Sequence, residues 1–307
     1  MDIILLQLLV PLLLLFWLAV WPPRSRAGWL MQILATLAYL AAVHMGGQWL
    51  VLPWWMAWVL WALFALALAI GRRPDRGWPA AWPGWLLLPA WLALGTLAVV
   101  AIVDAWRGLA MPVGPVADLA LPLPPGRYAV ANGGANIALS PHIRNLVPET
   151  ELQRRLRGQS YAIDLVALNR VGRHARGTAP ADPARYAIWN RPVLAPCSGR
   201  VVRSLDGRPD MPVDAPDTRV LAGNHVLLRC GRFEVLLAHL RRGSVRVGPG
   251  DTVTRGEPIG RVGNSGYTRF PHLHLGAQHP GTPAAPFASA PVPLRIGGRY
   301  LVRGDRL

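Results

Sequence analysis

Lysine is missing from the 307 residues altogether, so all 32 basic side chains are arginines. Any function that needs a cofactor tethered through a lysine amine is thereby excluded. Cysteine is nearly missing too. Cys197 and Cys230 are the only two, which limits the chain to one disulfide. Outside the cytoplasm that pair is free to bond, and the sequence does not show whether the two sulfurs meet. Acidic residues number only 16, leaving a net charge of +16. Such an excess suits anionic surfaces, and it also follows from a general preference for arginine codons. The arginines are scattered among prolines, with neither a basic helix nor a recognition motif, so a nucleic acid partner is not expected. No internal repeat is visible.

Charge is also absent from the interior of four apolar runs, at 3–21, 29–43, 49–70 and 85–103. A membrane span needs roughly 20 mostly apolar residues, and the second run is the shortest. Tryptophans cluster near the run ends, where interfacial anchors sit. The expectation is a four-span helical membrane region over 1–107. The first run has no basic start and is followed by Trp21-Pro-Pro-Arg24, unlike a cleavable signal. Arg24 and Arg26 follow run one, and Arg72, Arg73 and Arg76 follow run three, whereas 44–48 holds no arginine. The positive-inside rule puts both arginine loops in the cytoplasm and the rest of the chain outside, with Arg107 the one contrary charge. With no ionisable residue deep in a run, an anchor fits better than a transport pathway.

Beyond the last run the composition changes. Residues 111–125 are rich in proline and alanine, as an extended tether over 108–130 would be. Short β-branched or alternating runs then follow, split by Gly, Pro and Asp. Examples are Arg200-Val-Val-Arg203, His225-Val-Leu-Leu-Arg229, Phe233-Glu-Val-Leu-Leu237 and Ser244-Val-Arg-Val247. Closely spaced strands of this length predict a mainly-β, antiparallel soluble domain over 131–307. One short helix is expected within 149–157, and loops over 173–185 and 205–219.

The residues that carry chemistry are histidines and one aspartate. In Pro271-His-Leu-His274, strand alternation turns His272 and His274 to one face and Leu273 to the other. Paired imidazoles suit a metal site in which one ligates and the other handles protons. His239 follows a predicted strand. Asp164, in Tyr161-Ala-Ile-Asp-Leu165, sits within an apolar strand, where a carboxylate needs a partner; a metal ion or one of the many arginines would serve.

The pieces Ala195-Pro-Cys-Ser-Gly-Arg-Val-Val202, Gly223-Asn-His-Val226, Ala238-His-Leu240, Gly250-Asp-Thr-Val-Thr-Arg-Gly-Glu-Pro-Ile-Gly260 and Pro271-His-Leu-His274 occur in that order. Their order and spacing resemble the LytM-type (M23) zinc endopeptidases of bacterial cell walls, over about 132–278. The resemblance implies Zn2+, with His274 and Asp164 as ligands, His239 and His272 as the catalytic pair, and a metal-activated water attacking a peptide carbonyl. It also implies peptidoglycan peptides as substrate and hence a bacterium; with the topology above, the expectation is a bacterial (inner) membrane anchor and a C-terminal domain outside the cytoplasm, in a periplasm or an open wall. One position departs from the pattern. Where the family's His-x-x-x-Asp motif has its histidine, this chain has Ser160. Either His142 supplies the missing third ligand, or the domain is a degenerate module that binds wall or regulates a separate hydrolase. His174 and His225 are weaker candidates. The segment 250–260 also looks like the turn of biotinyl or lipoyl carriers, which the absence of lysine rules out.

Overall fold

The structure, a computed structural model, describes residues 2–307, and the chain divides into two units between Arg107 and Gly108.

All four apolar runs of the first unit are helical, but not with the predicted bounds. The first run is α-helical at Asp2–Ile4, π-helical at Leu5–Leu9 and α-helical again at Val10–Val20. Pro11 lies in the first turn of that last segment. It has no N–H to give to the ladder, and the wider turn before it is where such a gap is absorbed. The second run, expected to be the shortest, extends to 21 residues, Arg26–Gly46, because the Ser25 hydroxyl caps its start by accepting from the Gly28 N–H at 3.2 Å. The third starts late, at Met56, after a turn around Pro53. The fourth spans Trp82–Leu109.

Of the four expected spans, two are helices of full spanning length. Arg26–Gly46 and Trp82–Leu109 are long and apolar enough to cross a membrane, whereas Leu5–Val20 and Met56–Ile70 are shorter. The helices pack through Leu15, Leu18, Leu40, Leu60 and Phe64, and through Leu14, Ala35 and Trp91. Leu13, Leu34, Leu92 and Leu97 remain more than 60% exposed on the outside. The two arginine loops meet, with the Arg26 N–H donating to the Arg76 carbonyl at 2.7 Å.

The second unit begins where a tether was expected. Residues 117–119 instead form β1 (Ala117–Leu119), paired in parallel with β12 (Leu294–Ile296), and Leu119 and Leu123 join the core. The main sheet is antiparallel throughout. Its strands run in the order β2 (Tyr128–Asn132), β3 (Ile163–Ala167), β10 (Leu273–Gln278), β7 (Phe233–Leu240), β6 (Asn224–Cys230), β5 (Gly199–Leu205) and β8 (Thr252–Val253). A short strand, β11 (Pro291–Val292), also pairs with β10, and β4 (Pro192–Leu194) pairs with β9 (Pro258–Arg261) in a separate two-stranded sheet. The expected short helix forms at Glu151–Arg155, behind a capping box between Thr150 and Gln153. Cys197 and Cys230 are disulfide-bonded, with their Cα atoms 5.9 Å apart, tying the entry of β5 to the exit of β6.

Alternation divides the sheet. Leu165, Leu237, Leu273, Leu275, Val226 and Leu228 point into the main core. Asp164, Leu236, Ala238 and His274 are their alternates on the opposite face.

Candidate metal centre

β10 lies between β3 and β7, and its register sets His274 opposite both Asp164 and Ala238. Aspartate and histidine are thus cross-strand neighbours on one face. Two bulges complete the site. Between Val130 and Asn132, β2 carries an extra residue against β3, which brings Asn132 opposite Asp164. Between β6 and β7, the pair Ala238 and His239 stands against His225 alone. His239 is at the bulge with φ 63°, a left-handed conformation that is costly for a residue with a Cβ. Strict alternation would send His239 toward the core with Leu237. The bulge instead brings its ring within 4.9 Å of His272 and 5.7 Å of His274.

Asp164 is 3% exposed and is surrounded by imidazoles. Its Oδ2 lies 3.0 Å from His142 Nε2 and accepts from Asn132 Nδ2 at 2.8 Å. Its Oδ1 lies 3.0 Å from His274 Nδ1 and 3.4 Å from His272 Nε2. His142 comes from a 3-10 turn, Pro141–Asn145. Burial alone would raise the Asp164 carboxyl, but the charges and hydrogen bonds of His142 and His272 hold it well below the ordinary value. His272 is pushed down by burial, yet the Asp164 charge and hydrogen bond outweigh that and raise it. His239 is held well below its ordinary value by burial and then by His272 and His274. His274 is lowered, again mainly by burial.

The two remaining histidines of the cluster have their ring orientation set by backbone. His239 Nδ1 faces the Ser265 carbonyl at 2.9 Å, and His272 Nδ1 faces the Phe270 carbonyl at 2.8 Å. A carbonyl only accepts, so Nδ1 carries the proton in each ring and Nε2 is turned to the site. Ser160, at the position where the family's motif has histidine, is buried and gives its hydroxyl to the Arg157 carbonyl at 2.6 Å.

Among the described residues, two groups of three could hold a metal ion, His142 with Asp164 and His274, and His239 with His272 and His274; the donor atoms in each lie within 4.8 Å of one another. The first contains the only carboxylate of the two, which offsets part of a divalent charge. It also has an imbalance that a cation resolves. Both ring nitrogens of His274 face oxygens, Asp164 Oδ1 at 3.0 Å and Gln159 Oε1 at 3.3 Å. A neutral imidazole donates from one nitrogen only, and burial disfavours the doubly protonated form. The residues present fit a zinc-type ion.

The structure brings together all five residues singled out from sequence: His142, Asp164, His239, His272 and His274. His174 and His225 fall elsewhere. His174 packs against Tyr186 and Phe270, and His225 gives its Nδ1 proton to the Gly223 carbonyl at 2.8 Å. Sequence reasoning missed Asn132, Gln159 and Arg303. Arg303 donates to the Ala131 and Ala138 carbonyls and to Asn132 Oδ1, and burial lowers it to about 10, opposed by the Asp164 charge. No motif marks these residues, because each works through partners far away in the chain.

Antiparallel strands here present a buried carboxylate and imidazoles on one face, a donor set of the kind that holds a divalent metal ion. Residues 185–286 match the family model described as Peptidase family M23, so the second unit carries a peptidase M23 domain. An uncharacterized metalloprotease of Haemophilus influenzae is 34% identical over 110 residues, covering 33% of this chain. The chain spans 22% of the length of that relative. Among solved structures, the catalytic domain of the antimicrobial peptidase lysostaphin from Staphylococcus simulans is 24% identical (32% of this chain, 65% of that one, TM-score 0.25). A zinc containing peptidase from Vibrio cholerae is 18% identical (43% and 48%, TM-score 0.26).

Proposed function

We propose that this chain is a membrane-anchored zinc metalloendopeptidase that cuts peptide cross-links of peptidoglycan outside the cytoplasm. The observation that carries the reading is the meeting of His142, Asp164 and His274 beside His239 and His272, the last three of these histidines lying within the residues 185–286 that match the M23 family model. In this reading His142, Asp164 and His274 hold Zn2+, and the histidine absent at position 160 is supplied from position 142. A metal bound there supplies Lewis acidity toward water and a carbonyl oxygen. His239, its Nδ1 proton committed to Ser265, offers the Nε2 lone pair as a proton acceptor. His272, its Nδ1 proton committed to Phe270 and its pKa raised by Asp164, acts in the doubly protonated form and donates from Nε2 to charge that develops on the peptide oxygen. Asn132 and Arg303 steady Asp164 and the loop before His142.

The membrane part of the reading rests on the apolar outside of the helical unit, which water would not tolerate at this extent. Helices of 16 and 15 residues reach only about 24 and 22 Å at ~1.5 Å per residue. The tryptophan-rich turns that flank them complete the crossing of a core about 30 Å thick. Both arginine loops lie at one end of the helices, the cytoplasmic end under the positive-inside rule, so four passes deliver the second unit to the periplasmic side.

The test is zinc content by elemental analysis of the full chain in detergent, with His142→Ala and His274→Ala alongside. Release of soluble peptides from purified peptidoglycan is measured in parallel. Near one equivalent in the parent, lost in both variants together with peptide release, supports the proposal. A folded parent without zinc or cleavage defeats it and leaves a wall-binding or regulatory module.

A further inference from the structure

Behind the site, on the side of His274 away from Asp164, lies a chain of buried amides. Gln159 Oε1 faces His274 Nε2 at 3.3 Å, and Gln159 Nε2 donates to Gln278 Oε1 at 3.1 Å. Gln278 Nε2 in turn donates to the Pro286 carbonyl at 2.6 Å and reaches Glu234 Oε2 at 3.4 Å. Gln159 and Gln278 are 2% and 0% exposed. Paired carboxamides in a core are expensive unless every group is satisfied, so their retention calls for a reason.

The far end of the chain fixes its direction. A carbonyl and a carboxylate only accept, so Gln278 must turn its amide nitrogen to Pro286 and Glu234. Glu234 is itself held by Arg229 Nη2 at 2.6 Å and by the Gly281 N–H at 2.9 Å, and so stays an acceptor. Gln278 Oε1 therefore faces Gln159 and needs a donor, which must be Gln159 Nε2. That leaves Gln159 Oε1 as the acceptor presented to His274. The backbone keeps space for both amides. A Cβ on Gly276, in the middle of β10, would collide with Gln159 Oε1, and a Cβ on Gly158 would collide with Gln278 Oε1.

We infer that Gln159 and Gln278 are positioning residues that lock His274 in the Nε2–H tautomer, so that its Nδ1 lone pair is held toward Asp164 and the metal. The direction set at Pro286 and Glu234 is passed through two amides to one imidazole. This second layer orients the ligand and also strengthens it, because an imidazole that donates from one nitrogen is a better base at the other. The inference rests on the proposed zinc site, with His274 ligating through Nδ1.

The experiment is zinc affinity of the full chain in detergent, by competition with a chelator, for the parent, Gln159→Leu and Gln278→Met. Spectra of histidine labelled with 15N report which ring nitrogen of His274 carries the proton. Gln159→Leu is expected to weaken zinc binding by about 10- to 100-fold, the range seen when such partners are removed. Gln278→Met, which frees Gln159 to turn its amide, is expected to weaken it by a smaller factor. The parent should show the Nε2–H tautomer, and that signature should blur in both variants. A merely structural role would lower thermal stability without moving the tautomer. If Gln159→Leu does not fold, Gln278→Met decides the matter. A parent that binds zinc, with both folded variants within twofold of it or with the His274 proton on Nδ1, overturns the relay alone. A parent that binds no zinc overturns the proposed function and the relay together.

Discussion

His142 Nε2 and Asp164 Oδ2 lie 3.0 Å apart, although the two residues are 22 positions apart, with a short helix and the 3-10 turn Arg157–Gln159 between them. Ser160 is closer to Asp164 in sequence, but its hydroxyl is turned to the Arg157 carbonyl. Removing His142 should therefore abolish most zinc binding. Ser160→Ala should leave metal and activity unchanged and cost about 1 kcal/mol of stability from one lost hydrogen bond. Elemental analysis beside chemical denaturation separates the two effects. Zinc retained in His142→Ala would point instead to the group of His239, His272 and His274.

The two histidines turned by backbone carbonyls should behave in the opposite way. His239→Ala and His272→Ala are expected to keep zinc and lose about 10²- to 10⁴-fold in kcat, the usual contribution of a positioned proton-transfer group. Metal content and turnover measured on the same preparation check this. Loss of the metal itself would assign these rings a ligand role.

His225 is 2% exposed, and burial lowers its pKa to about 4. The unfolded chain takes up the proton near the ordinary value of about 6.5, while the folded chain resists it until about 4. Protons thus bind the unfolded state preferentially over that window, so stability falls as the pH drops from about 6.5 to about 4 and levels off below. A shift of this size corresponds to roughly 3 kcal/mol. Urea midpoints of the metal-free chain against pH, compared with His225→Leu, should show a shallower acid slope in the variant. Identical slopes would mean that His225 is not the group responsible.

Reduction of the Cys197–Cys230 bond, which joins positions 33 residues apart, should lower stability by about 3–4 kcal/mol on the chain-entropy account. Denaturant midpoints with and without reductant measure it, using Cys197→Ala/Cys230→Ala as a control that should not respond to the reductant.

Local pattern carried a good part of the site. Pro271-His-Leu-His274 sets two imidazoles two residues apart at the start of β10, where alternation turns them the same way, although the strand itself begins only at Leu273. Helix bounds were less legible. The run at 29–43 gained residues because Ser25 caps it, and the run at 49–70 lost them to a turn at Pro53, local effects that mean hydropathy does not register. The segment around 117–119 read as tether because its composition is proline-rich, yet it becomes a strand once Leu294–Ile296 offers it an edge.

By itself the sequence determined that the chain has an apolar helical part and a mainly-β part, that lysine chemistry is unavailable, and that His274 and Asp164 are strand residues in need of a partner, with His272 just ahead of the strand. Only the tertiary structure decided which residues meet. His142 reaches Asp164 through packing, His239 leaves the core side through a bulge, and Gln159 and Gln278, 119 residues apart, join behind His274. The physical reason is that periodicity acts between neighbours along the chain. Buried polar groups are satisfied by whatever the sheet order brings within about 3 Å, and that order is set by the burial of the apolar face as a whole.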